Sequence, residues 1–269
     1  MTEGARVSDA RGGSVVLDLY VEVATGGACM GHIPALPGFC FRSENTEEIP
    51  HRAPDRLAEY VKWLAGRGLV DLTTATRDLA VVFSATGVDA VDLRERERLA
   101  GAPVWESGNA AVLFSVDRRL LADEDVRAHL RFVAEVLAHV RSLVEPLTAE
   151  QRAHRPRSGR RSIDETLEHI GNCIWWYTSR INDALPEPPE IEREDPLDRI
   201  ERLVAVASDD LLSIPSSERN RVHTPKRFLT RDPHEQWTYG KVCRREAEHV
   251  WAHLPGILRD LEVARSAGD

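Results

Sequence analysis

Apolar and polar positions follow two different periods along this chain. Residues 15–23, VVLDLYVEV, alternate and are rich in β-branched side chains, a period of two that predicts a strand. Gly26-Gly27 marks a turn. Residues 29–33 and 39–42 are further short strand candidates, separated by the chain breakers Pro34, Pro37 and Gly38. A helix over about 47–66 follows, with Leu57, Tyr60, Val61, Leu64 and Ala65 on one face. Pro50 and Pro54 restrict its start, since a helix tolerates proline only in its first turn. The apolar run 79–84 reads as another strand. Residues 92–108, DLRERERLAGAPVWESG, are charged and then interrupted by glycine, proline and serine, so they read as a surface connection. Residues 110–116 read as one more short strand.

From Asp123 the period becomes 3.6. Val126, Leu130, Val133, Leu137, Val140 and Val144 form one stripe, with Asp123 as the expected N-cap. A second helix begins at Ser162, which has capping-box spacing to Glu165. Its stripe runs through Ile163, Leu167, Ile170, Ile174, Tyr177 and Ile181, up to the proline-rich LPEPPE. A third starts near Asp195-Pro196, with proline at the favoured first position. After a long polar loop, a fourth runs from about Thr238, with Val242, Cys243, Ala247, Val250, Leu254, Ile257 and Leu258 inward. Four amphipathic helices of this length suffice to close a bundle.

Composition narrows the class. The chain has 269 residues, 42% apolar and 29% charged, which suits a globular protein of one or two domains. No apolar run approaches the ~20 residues of a membrane span. The N-terminal MTEGARVSDARGG lacks the apolar segment of a secretory signal, so a cytoplasmic location is expected. There are 35 basic and 44 acidic residues, a net charge of −9, and both halves share the acidic excess. Such a surface repels duplex nucleic acid, and the basic cluster Arg155, Arg157, Arg160 and Arg161 falls in a loop. Neither a nucleic-acid nor a membrane partner is expected. Cys29, Cys40, Cys173 and Cys243 are dispersed, with no C-x-x-C pair, and read as reduced thiols. The nucleophile elbow, the Walker loop and the dinucleotide glycine fingerprint are all absent, which disfavours serine hydrolases, P-loop NTPases and classical dehydrogenases.

The chemistry gathers on three of the ten histidines. His249 and His253, in REAEHVWAHL, are one helical turn apart and project from the same side, at the edge of the apolar stripe. His169 holds the corresponding place on the second helix, beside Ile170, and shares its face with Thr166, Cys173 and Trp176. Three neutral imidazoles with an open position fit a catalytic-type zinc or nickel site. The competing reading is three ordinary helix-face histidines satisfied by carboxylates. Glu246 and Glu165, each one turn before a histidine, would serve as such partners or as orienters of metal-bound rings. His32, His51, His129, His154, His223 and His234 read as solvated, and His139 as solvated or partly packed. Cys173 reads either as a small packing residue or as a group near the site. Arg245 shares a face with His249 and is either solvated or a recogniser of an anionic substrate. Pro255-Gly256 predicts a kink just beyond His253.

Two families are similar to parts of this sequence. The first third resembles the HicB antitoxin-type domain: a strand, a glycine turn, GHIPALPGF with Pro34, Pro37 and Gly38, then Thr46, Glu47 and Glu48 before an amphipathic helix. No helix-turn-helix or ribbon-helix signature accompanies it, so the resemblance implies a small α/β accessory domain and not antitoxin activity. The C-terminal half resembles the DinB-like four-helix bundles in LTAEQRAHRPRSGRRSIDETLEHIGNCIWWYTSRI and EQWTYGKVCRREAEHVWAHL. That resemblance implies a divalent metal on His169, His249 and His253, and a thiol-dependent transferase or isomerase reaction.

The expectation is therefore an α+β protein: a HicB-like domain over 1–90, a linker with one short strand over 91–121, and a DinB-like bundle over 122–269. The expected cofactor is a divalent metal, zinc or nickel, and the expected ligand a small-molecule thiol or an anionic substrate. Metal-assisted hydrolysis follows equally from a metal-bound water. The catalytic residues are not assigned. The alternative is a non-enzymatic interaction module with a structural or vestigial metal site, and bundle faces of this kind suit a homodimer.

Overall fold

The computed structural model describes residues 5–7, 14–86, 90–102, 111–156, 159–226 and 235–266. The chain is α+β and divides into two compact units, residues 1–119 with 231–236, and 120–230 with 237–269. Among the described residues no helix is long and apolar enough to cross a membrane.

The first unit is a five-stranded sheet centred on β2 (Val15–Ala24). Strand β1 (Ala5–Val7) pairs antiparallel with the start of β2, and β3 (Cys29–His32) pairs antiparallel with its residues 20–23. Strand β4 (Cys40–Ser43) follows on β3. The strand β5 (Val91–Ala102) runs parallel to β2 along its whole length, from Val15 opposite Val91 to Ala24 opposite Ala102. A parallel pair needs a long crossover, and helices α1 (Ile49–Gly66) and α2 (Thr74–Thr86) fill it.

Three expectations are corrected here. Residues 91–102 form a strand instead of a surface connection, while 103–110 lie outside the described residues. Half of the β5 sequence is charged because it needs to bury little: the side chains over 91–100 are half-buried or exposed, and Arg96 reaches Asp18 of β2 at 2.6 Å. The run 79–84 belongs to helix α2. Its apolar residues include Leu79 and Val82, which point inward three positions apart, and Val81, which is 63% exposed. The deciding signal lies upstream, where Thr73 and Thr76 exchange side-chain-to-backbone hydrogen bonds at 3.1 and 2.8 Å and cap the helix. Finally, 111–116 makes no strand. Phe114 packs on Tyr20 with ring centroids 5.4 Å apart, and a 3₁₀ turn follows over Ser115–Arg118.

Pro54 lies inside α1 and not in its first turn. The sharp loop 34–38 is tied to this helix by Tyr60, whose hydroxyl donates to the Pro37 carbonyl at 2.7 Å, and Gly38 supplies the left-handed backbone (φ 77°) that the turn requires.

In the second unit four long helices pack in a closed ring, in the order α3 (Asp123–Val144), α7 (Tyr239–Ser266), α5 (Ile163–Thr178) and α6 (Pro196–Ser213). A short helix, α4 (Ala149–Ala153), leans on α5 and α7. Ala122 is the N-cap of α3. Asp123 is instead its first helical residue and pairs with the buried Arg219. The Ser162–Glu165 capping box opens α5, and Asp195 caps α6 ahead of Pro196. Helix α7 continues through Pro255 without ending there.

Helices α5 and α6 approach closely at Gly171, where an added Cβ would stand 3.0 Å from Leu203 Cδ1 and 3.5 Å from the Ile200 Cα. Gly171→Val should lower stability by about 1–3 kcal/mol, because overpacking against backbone outweighs the few tenths gained in helix propensity. Gly26→Ala, with nothing near its Cβ, should stay within about 0.5 kcal/mol of wild type. Thermal and urea denaturation followed by circular dichroism measures both.

Candidate metal centre

Helix α5 carries His169, and α7 carries His249 and His253. One ring nitrogen from each of the three lies within 4.8 Å of the other two. The ring centroids are 5.1 Å apart for His169–His249 and His169–His253, and 4.6 Å for His249–His253. The rings meet at 62–74°, edge to face, so they converge and do not stack. Continuity of α7 past Pro255 keeps His253 one turn from His249, so the proline does not displace it.

His249 is 5% exposed, while His169 and His253 are half-buried. Nδ1 of His249 faces the Tyr177 hydroxyl at 3.5 Å, and its Nε2 is buried with no hydrogen-bond partner. An unsatisfied buried nitrogen costs about 1–3 kcal/mol, and a shared ion between the three rings would relieve it. Burial, then the neighbouring His253 and His169, with Arg245 and Arg161 behind them, push the His249 pKa well below its ordinary value. The ring is neutral at physiological pH and keeps a lone pair for a ligand. With Nε2 as the donor to an ion, Nδ1 carries the proton and points it at Tyr177, the usual orientation of a metal-bound imidazole. Burial chiefly raises the Tyr177 hydroxyl to about 12, so it stays neutral. An all-imidazole donor set fits zinc or nickel and suits calcium or magnesium poorly.

Other residues differ from expectation in four respects. Glu165 is engaged at the start of α5, accepting from the Ser162 N–H at 2.8 Å and from Arg155. Glu246 bonds with Thr178, 2.8 Å away. Arg245 is not solvated. It is buried, 3.4 Å from Glu248, with its guanidinium 5.9 Å from the Tyr177 ring centre. His32 and His129 are not solvated either: His32 is fully buried against Phe114, and His129 packs within α3 with Nδ1 2.9 Å from the Asp125 carbonyl. His51 and His154 are exposed, His139 and His223 are half-buried, and His234 lies outside the described residues. Cys173 places its Sγ 3.6 Å and 3.8 Å from the two His169 nitrogens.

Of the aromatic residues Trp175, Trp176, Tyr177, Trp237 and Trp251, most are expected from the sequence to pack and one or two to line a pocket beside the metal, and Tyr177 is the one that meets His249. The signal was present, since His169, Cys173 and Tyr177 recur at four-residue steps on one face of α5. Tyr177 extends the site into an aromatic cluster, 5.5 Å from Trp176 and 5.7 Å from Trp237. Trp175 and Trp251 serve packing: one donates to the Pro186 carbonyl, and the other lies against Phe132.

Comparison with protein families, curated proteins and solved structures gives no match.

Glu246 is 2% exposed, and burial raises its carboxyl to about 8, opposed by the Thr178 hydrogen bond and reinforced by Asp210. The Thr178 hydroxyl has one hydrogen and stands between two acceptors, the Ile174 carbonyl at 3.2 Å and Glu246 at 2.8 Å, which a protonated Glu246 satisfies together. In the unfolded chain a glutamate ionises near about 4.3. Between those values the folded state binds more protons. The stability Glu246 contributes is therefore complete below about pH 4.3 and lost as pH rises through about 8. Glu246→Gln cannot ionise, so its stability relative to wild type should climb by roughly a few kcal/mol between about pH 5 and about pH 8.5. Urea denaturation across that range checks this, and a constant difference would mean a carboxylate ionised throughout.

Proposed function

We propose that the second unit is a DinB-like bundle holding a divalent ion, zinc or nickel, on His169, His249 and His253. Its activity is a thiol-dependent transfer or isomerisation, with metal-assisted hydrolysis as the variant for a water nucleophile. The observation that carries this reading is the convergence of three imidazole nitrogens from two helices around the buried, unpartnered Nε2 of His249. When bound, the ion would stabilise a thiolate or hydroxide at neutral pH.

The chain's own residues supply the rest. Tyr177 orients His249 through Nδ1. Arg245, held against Glu248 beside Tyr177, brings positive charge toward the site and favours an anionic substrate. Glu246 keeps a proton on the same helix, one turn before His249. The first unit, with its glycine turn, its 34–38 loop and α1, is read as a HicB-like accessory domain. The whole is read as a cytoplasmic protein.

The test is the metal content of the tag-free, full-length protein by elemental mass spectrometry. About one zinc or nickel per chain is expected in wild type, with loss of most of it in His249→Ala/His253→Ala. The loaded protein should melt at a higher temperature than the chelated one. Wild type that holds no metal after reconstitution with zinc or nickel overturns the reading and leaves a non-enzymatic interaction module. A metal-loaded protein then goes to a screen of small-molecule thiols as co-substrates.

A further inference from the structure

We propose that Cys173 is a fourth ligand of the ion, completing a three-histidine, one-cysteine set that an incoming thiol opens by displacing it. This rests on the metal reading above. His169 and Cys173 are one turn apart on α5, on the same side of the helix. The sulfur stands at nearly equal distances, 3.6 and 3.8 Å, from both nitrogens of the His169 ring. Whichever nitrogen turns to the ion, the sulfur is therefore beside it. Two ligands of one tetrahedral zinc, at about 2.0 Å for nitrogen and about 2.3 Å for sulfur, are about 3.5 Å apart. The observed contact therefore places the sulfur beside His169, within a side-chain rotation of that spacing.

Burial and charge point the same way. Cys29, Cys40 and Cys243 are buried, whereas Cys173 is half-buried at the rim of the cluster. The 4.8 Å group itself comprises the three imidazoles, so ligation asks a rotation of Cys173 about its Cα–Cβ bond toward α7. Nε2 of His249, buried and without a partner, independently marks the same place as a ligand position. Three neutral imidazoles leave the full double charge on the ion, and Arg245 and Arg161 already bring positive charge to bear on His249. A thiolate offsets half of the ion's charge. On ligation the S–H bond breaks, the proton leaves to solvent, and the electron pair forms the sulfur–metal bond, with no change of oxidation state.

The consequence deepens the proposed activity. A site closed by its own cysteine exchanges one thiolate for another when a small-molecule thiol arrives, so the substrate enters by ligand exchange and water is kept off the ion in the resting protein.

The experiment is an anaerobic cobalt(II) titration of the tag-free, full-length wild type, Cys173→Ser and Cys243→Ala, followed by absorption spectroscopy. Visible ligand-field bands are expected in all three. A near-ultraviolet sulfur-to-cobalt charge-transfer band is expected in wild type and Cys243→Ala and not in Cys173→Ser, where cobalt affinity falls by about tenfold or more. Ligand-field bands without the charge-transfer band in wild type overturn the Cys173 assignment and leave the three-histidine reading standing. Survival of the charge-transfer band in Cys173→Ser overturns it as well. Absence of any cobalt spectrum in wild type overturns both.

Discussion

Taking a charged side chain out of water costs several kcal/mol unless a partner replaces the solvent. The first three turns of α7 meet that condition repeatedly. Every residue over 239–250 is buried, and they include Lys241, Arg244, Arg245, Glu246 and Glu248. Arg244 and Arg245 share Glu248, Lys241 lies 4.0 Å from the centre of the Trp237 ring, and Glu246 meets Thr178 of α5. The first three are local to α7 and the residues just before it, while Glu246–Thr178 reaches across to α5 and helps to set the rotation of α7 that aims His249 and His253 at His169. The candidate centre thus depends on the packing of α5 against the buried first turns of α7, where Thr178 meets Glu246.

The same constraint explains what the amino-acid pattern reveals of the bundle and what it hides. The Ser162–Glu165 box, the Asp195-Pro196 start and the four-residue spacing of His249 and His253 are local signals, each settled by the chain within one turn of itself. They are legible before any packing is known. The burial of Arg245 and His129 is settled by neighbours distant in sequence, and a charged residue on a helix reads as solvated until those neighbours are placed. Tyr177 shows the intermediate case: its position on the His169 face is local, but its role depends on α7 lying opposite.

The sheet unit follows the same division. The alternation of β2 and the turn at Gly26-Gly27 are legible. The polar β5 is not, because a strand that shields the edge of another needs little apolar surface of its own. Helix α2 was hidden for a different reason. Six apolar-rich residues suit a strand or a helix equally, and only the reciprocal threonine cap before them separates the two.

The parallel pairing of β2 with β5 also bears on how this unit is made. Val15 waits for Val91, so the central strand emerges from the ribosome long before the partner that covers one of its edges. The β3 and β4 hairpin forms early and closes part of the other edge, because its contacts are near in sequence. Until α1, α2 and β5 have been synthesised, the apolar β2 exposes a row of unpaired backbone groups, the form in which nascent chains meet chaperones or aggregate. The central strand of this sheet therefore spends part of its synthesis half-paired, a property of chain order that the finished fold no longer displays.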